Sequence, residues 1–151
     1  FTAEEAWKTF GTSESIFLET FSDLGTPDAA LLAKWSRIRE IRDIANKDIE
    51  AVRAEGKVGA SLQANITVTA PANDHALLAS LGEDLKFVFI TSQVTLQTGD
   101  VLAVQVAVSE AAKCERCWHY RDDVGHDAAH PTLCGRCTSN LYGAGETRTV
   151  A

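Results

Sequence analysis

Methionine is absent from all 151 residues, position 1 included, and proline occurs only 3 times. An intact primary translation product starts with methionine, so this absence predicts a processed chain or a piece of something larger. No window approaches the roughly 18 uninterrupted apolar residues a membrane helix requires, which excludes a bilayer-spanning role. The opening FTAEEAWKTF has neither a basic leader nor an apolar stretch, so no signal peptide is expected. Basic charge is also short: 14 Lys and Arg stand against 21 Asp and Glu, for a formal charge of −7. That balance argues against non-specific nucleic-acid binding, because phosphate contacts come from Lys and Arg. The deficit is uneven. Residues 1–60 carry 8 basic and 11 acidic groups, residues 61–110 carry 1 and 5, and residues 111–151 carry 5 of each. The argument therefore relaxes at the tail.

What is present reads as one modest globular domain or two small ones, with ordinary apolar and charged content. Thr2 and Glu5 form a capping-box pattern that predicts a short helix through Trp7 and Phe10, ended by Gly11. Residues 12–25 are turn-rich and expected to be irregular, with Ile16, Phe17, Leu18 and Phe21 packing onto a neighbour. Thr26 as cap and Pro27 at the first position then predict a helix over 27–55. Its apolar stripe is Leu31, Trp35, Ile38, Ile41, Ala45, Ile49 and Val52, and Gly56 is its stop. Lys34, Arg37, Arg42, Lys47 and Arg53, set among Glu40, Asp43 and Glu50, read as a solvated face with internal ion pairs.

The period then changes. Leu62, Ala64, Ile66 and Val68 alternate with polar residues, which predicts a half-buried strand. Asn73 is a candidate cap for a short helix with Leu77, Leu78, Leu81 and Leu85 on its apolar side. KFVFI (86–90) and VLAVQVAV (101–108) read as two further strands joined across Thr98-Gly99-Asp100. The fold class is α+β, with a three-strand α/β segment that carries no catalytic pattern.

All 4 cysteines lie in the tail. Cys114 and Cys117 are two residues apart, as are Cys134 and Cys137, with a spacer that fits C-x2-C-x15–20-C-x2-C. Two-residue spacing lets a tight knuckle present both sulfurs to one metal, and Gly135 would ease the second turn. A single structural Zn2+ held by four thiolates is expected, with iron in the same site as the competitor. Two disulfides are the other reading. The lack of a leader points instead to the reducing cytoplasm. His119, His126 and His130 lie between the pairs, but four thiolates already close a tetrahedral site. Lys113, Arg116, Trp118, His119, Tyr120, Arg121 and Arg136 mix cations and stackable rings around the knuckles, which suits unpaired RNA. Trp118 also suits the alternative task of covering the metal.

On these residues, KCERCWHY and HPTLCGRCTSNLYGAGETRTVA resemble the C-terminal zinc-binding segment of bacterial isoleucyl-tRNA synthetases. WSRIREIRDIANKDIEAVRAEGKVGASLQANITV resembles the passage from the last anticodon-domain helix into the C-terminal α/β subdomain of those enzymes, and ESIFLETF has a counterpart upstream. The resemblance implies three regions: 1–57 as the helical end of the anticodon-binding domain, 58–110 as the α/β subdomain and 111–151 as the finger. It implies zinc ligands at Cys114, Cys117, Cys134 and Cys137. It also implies isoleucine-accepting tRNA and the remainder of a synthetase chain as partners, with no membrane. The ATP-dependent aminoacylation of such an enzyme would lie elsewhere, since H-x-G-H and K-M-S-K-S have no counterpart here. Formamidopyrimidine-DNA glycosylases also carry a four-cysteine finger. They use an N-terminal Pro-Glu and a helix–two-turn–helix, where this chain starts Phe1-Thr2 and has an α/β segment before the finger. A structural zinc ribbon for protein contacts is the third reading.

Overall fold

A computed structural model describes residues 1–146, which form two compact units, one over Phe1–Leu32 and one from Ala33 onward. In the first, α1 (Thr2–Phe10) is followed by a single 3-10 turn at Ile16–Leu18. Thr2 lies inside the helix and makes no side-chain cap, contrary to the capping-box expectation. Its residues 12–25 are irregular apart from that turn. Neither element buries a residue, and Phe17, Leu18, Phe21 and Leu24 are exposed.

Helix α2 spans Ala29–Ala54. Asp28, not Thr26, caps it: its carboxylate accepts from the backbone N–H groups of Ala30 and Leu31 at 2.8 and 3.0 Å. That satisfies donors which a helix start leaves open and places negative charge at its positive end. Gly56 ends the helix in the left-handed region at φ 74°. The predicted stripe is real in its middle, where Ile38, Ile41, Ala45 and Ile49 are buried, while Leu31 at its start is exposed.

The stripe joins a core with Ile66, Val68 and Ala70 of β1 (Ala64–Ala70), and with Leu78, Leu81, Leu85 and Phe89. Each Val, Leu, Ile or Phe side chain among them contributes about 1.5–3 kcal/mol on burial. β1 is central in the order β2-β1-β3, parallel to β2 (Gln93–Thr98) and antiparallel to β3 (Ala103–Val108). A parallel pair needs a long crossover. It is supplied by α3 (Ala72–Ala79), a 3-10 turn at Gly82–Asp84 and α4 (Leu85–Phe89).

The strand expected at 86–90 is therefore a helix. Leu85 and Phe89, four apart, both enter the core, and Ile90 closes the turn at φ 55°. The second strand begins at Gln93, where Val94 and Leu96 alternate with Gln93, Thr95 and Gln97. Asn73 sits inside α3, whose cap position is Pro71, and α3 itself stops at Ala79. The turn at Thr98-Gly99-Asp100 does join two strands, but they are not neighbours, because β1 lies between them. The link crosses the end of β1, where Gly99 N–H donates to Ala70 O at 3.0 Å. A Cβ on Gly99 would meet Thr69 Cγ2 at 2.5 Å, so a larger residue there would force the Thr69 side chain to shift.

The same unit contains a two-stranded ribbon, β4 (Ala112–Lys113) with β5 (Tyr120–Arg121), and α5 (Gly135–Tyr142). The architecture is thus α+β with a cysteine module. Among the described residues, no helix is long and apolar enough to cross a membrane.

Candidate metal centre and nucleic-acid interface

The ribbon carries the first cysteine pair. Cys114 N–H donates to His119 O and Trp118 N–H donates back to Cys114 O, both at 2.9 Å, which folds residues 114–119 into a knuckle. Trp118 takes the left-handed region at φ 65° to close it, an uncommon conformation for a bulky residue. The second pair is built on a helix start: Cys134 is the cap residue of α5, and Cys137 lies in its first turn. Gly135 is not at positive φ, so it does not relieve turn strain as expected. It leaves room for Asp123, whose Oδ2 accepts from Gly135 N–H at 3.2 Å and would lie 3.0 Å from a Cβ there.

The four sulfurs lie within 4.8 Å of one another, with Cys117 Sγ and Cys134 Sγ 3.8 Å apart. Thiolates about 2.3 Å from a tetrahedral zinc are about 3.8 Å from each other, so the donor set fits that ion. Cys114, Cys134 and Cys137 are fully buried and Cys117 partly, with Val124 and Leu133 packed around them. Among the described residues they are the cluster that could hold a metal, and the three intervening histidines are outside it. Burial opposes thiolate formation at Cys114, but backbone N–H groups of Cys117, Cys134 and Arg116 outweigh it and hold the group at about 6. Burial pushes Cys117 up to about 12 and raises Cys134 as well. Sulfurs crowded in this way need a cation to ionise together, and metal uptake would release their protons. Arg116 Nη1 approaches Cys137 Sγ at 3.5 Å, a charge partner for one thiolate.

The seven basic and aromatic candidates separate into two groups. Lys113, Arg116 and Trp118 are exposed on the first knuckle. Trp118 is 60% exposed, so it does not cover the metal; its Nε1 donates to Glu115 O and the Lys113 ammonium lies 5.2 Å from its ring. The other four are half-buried, and three of them, His119, Arg121 and Arg136, have side chains engaged within the chain, whereas Tyr120 is held through its backbone. His119 packs edge-on against Phe87 of α4, and its burial lowers the imidazole pKa. Tyr120 N–H donates to Ser92 Oγ at 2.6 Å. Arg121 grips Asp123 through two hydrogen bonds of 2.9 and 3.1 Å. Arg136 grips Glu146 at 2.5 and 2.7 Å and lies over the Phe87 ring. The contacts with Phe87 and Ser92 were not visible in the sequence, since those residues lie far from the finger along the chain.

Residues 112–140 match the family described as "Zinc finger found in FPG and IleRS". That match and the four converging sulfurs support a single structural Zn2+. The finger family spans both enzyme types, so the rest of the chain makes the distinction. Across 100% of its length the chain is 52% identical to isoleucine–tRNA ligase of Ralstonia pickettii (strain 12J) and 52% identical to that of Azoarcus sp. (strain BH72). It is 49% identical to that of Bordetella pertussis (strain Tohama I / ATCC BAA-589 / NCTC 13251). Isoleucine–tRNA ligases are its homologues, and the chain spans 17% of the length of each of these relatives.

Proposed function

We propose that this chain is the tRNA-binding, non-catalytic part of an isoleucine–tRNA ligase, which positions the anticodon arm for charging at a site elsewhere in the enzyme. In this reading Cys114, Cys117, Cys134 and Cys137 are the ligands of one zinc. The metal stabilises the two knuckles. Residues 1–57 and 58–110 serve as the helical end and the α/β support, and 111–151 as the finger, of which residues 147–151 lie outside the described residues. The setting is the cytoplasm, where thiolates stay reduced. The carrying observation is the first knuckle: a metal-ready cysteine pair bearing Lys113, Arg116 and Trp118, all exposed. Cations meet phosphates there, and an open indole face stacks an unpaired base.

The test is titration of an isoleucine tRNA transcript into the zinc-loaded chain. Lys113→Glu and Arg116→Gln should each weaken binding and flatten its salt dependence by about 0.7–0.9 per lost phosphate contact. Unchanged affinity in both variants, with zinc content intact, would support a ribbon for protein contacts instead.

A further inference from the structure

Arg136 is among the candidate RNA-contact residues of the sequence, yet its guanidinium is occupied. The segment after α5 turns back through Gly143 and Gly145, whose N–H groups both donate to Ser139 O at 2.9 and 3.1 Å. Ser139 Oγ donates to Gly145 O, and Asn140 Oδ1 accepts from Glu146 N–H at 2.8 Å. This return delivers the Glu146 carboxylate to a set of donors. Arg136 Nε and Nη2 reach it at 2.5 and 2.7 Å, and Asn140 Nδ2 at 3.2 Å. The guanidinium plane is backed by the Phe87 ring, 4.9 Å from its centroid. A planar fork presenting two parallel N–H groups, with an amide beside it, is the arrangement that takes carboxylate and phosphate interchangeably.

We infer that Arg136 and Asn140 form an oxyanion site for a nucleic-acid phosphate, and that Glu146 is its displaceable internal occupant. The site faces outward enough for exchange: the side chains of Arg136 and Glu146 are 19% and 28% exposed. The tail segment therefore sets how many cations the finger offers. With Glu146 seated, Arg136 is neutralised; with Glu146 displaced, a second guanidinium joins Arg116 at the cysteine module. A phosphodiester has to displace the carboxylate to enter, so a phosphate brought to another position gains nothing from Arg136. The inference rests on the tRNA-binding reading and adds a gate to it.

The experiment compares the zinc-loaded chain with Glu146→Gln and with Glu146→Gln/Arg136→Gln. Each is titrated with the tRNA transcript across a salt series and, separately, with sodium phosphate while the arginine Nε–H resonances are followed by NMR. Zinc content and melting temperature check that each variant is folded. Glu146→Gln should bind tRNA about 3- to 10-fold tighter with a salt slope steeper by about 0.7–0.9, one added phosphate contact. The double variant should lose that gain. Equal affinity and slope in wild type and Glu146→Gln, with binding still dependent on Lys113, would overturn the gate while leaving the tRNA reading intact. Failure of every form to bind tRNA would sink the tRNA reading. The phosphate arm then decides the site by itself: a shift of the Arg136 resonance in Glu146→Gln upholds it, and no shift overturns it.

Discussion

Within the unit that begins at Ala33, two regions are held together by different physics. The α/β region surrounds Phe89, Ile66, Val68 and the α2 isoleucines, which form a cluster of 11 buried apolar residues. The finger's buried cluster is 3 cysteines, with Cys117, Val124 and Leu133 against them. One region is stable because apolar area leaves water, roughly in proportion to that area. The other has too little apolar area for that, and its centre consists of groups that repel one another once ionised. A divalent metal reverses the sign of that interaction, so a structural zinc's binding energy becomes folding energy. The contrast teaches that a region can lack a hydrophobic core and still fold, provided its side chains converge on one ion.

The sharpest way to break the contrast is to remove a ligand. Cys134→Ala, or chelation of the wild type, should empty the metal site and collapse the amide dispersion of 112–140. A structural zinc site is worth about 10–16 kcal/mol of apparent binding energy, far more than a small module's own core supplies. NMR signals of Ile38, Ile66 and Phe89 should persist. Loss of those signals too would show that the two regions fold as one.

The reciprocal change is next in size. Phe89→Ala should cost about 3–5 kcal/mol in urea unfolding, from lost transfer energy and the cavity left behind. Zinc content should remain one per chain under native conditions. An emptied site would again erase the distinction.

Trp118→Ala sharpens the comparison from the surface. The residue is exposed, so its removal should change stability by less than about 0.5 kcal/mol. If it stacks a base, tRNA affinity should fall by about 1–3 kcal/mol. A melting-temperature loss without an affinity loss would return Trp118 to a packing role.

The smallest expected effect lies on the α/β side. Arg37 joins α2 to α3 through two hydrogen bonds to Asp74, 2.9 and 2.7 Å, and also meets Glu40. The Arg37 guanidinium holds the Asp74 carboxyl below the usual carboxylate range. Its contribution is therefore present above the unfolded carboxyl's pKa and is lost as pH falls below it toward the lower folded value. Arg37 is 43% exposed, so Asp74→Asn should cost only about 1 kcal/mol at pH 7. The difference between variant and wild type should vanish in acid, where both are uncharged at this position. A difference that persisted at low pH would assign the effect to packing instead.

Legibility followed the same division. Cysteine spacing needs only a short stretch of chain, so the metal module could be read residue by residue. The middle of α2 was equally plain, because Ile38, Ile41, Ala45 and Ile49 repeat with the helical period. KFVFI was misread because five apolar-rich residues fit a strand or a buried helical turn equally well. Val94 and Leu96 carried the signal for the real strand, but each is separated by an uncharged polar residue rather than a charged one, which weakens the contrast between faces. The cap of α2 was placed two residues early because Thr26 precedes Pro27 in a familiar pattern, whereas Asp28 makes the bonds.

The sequence by itself determined what depends on spacing along the chain: the long helix, the cysteine pairs, their metal and the acidic balance. Tertiary structure alone decided which charges remain available. Arg136 is as basic as Lys113 and Arg116 in the sequence, yet Glu146, ten residues further on, neutralises it while the other two stay exposed. The physical reason is range. Helical periods and knuckles are set by neighbours a few residues away, whereas a cation's availability depends on whichever carboxylate or ring the fold brings within hydrogen-bonding distance.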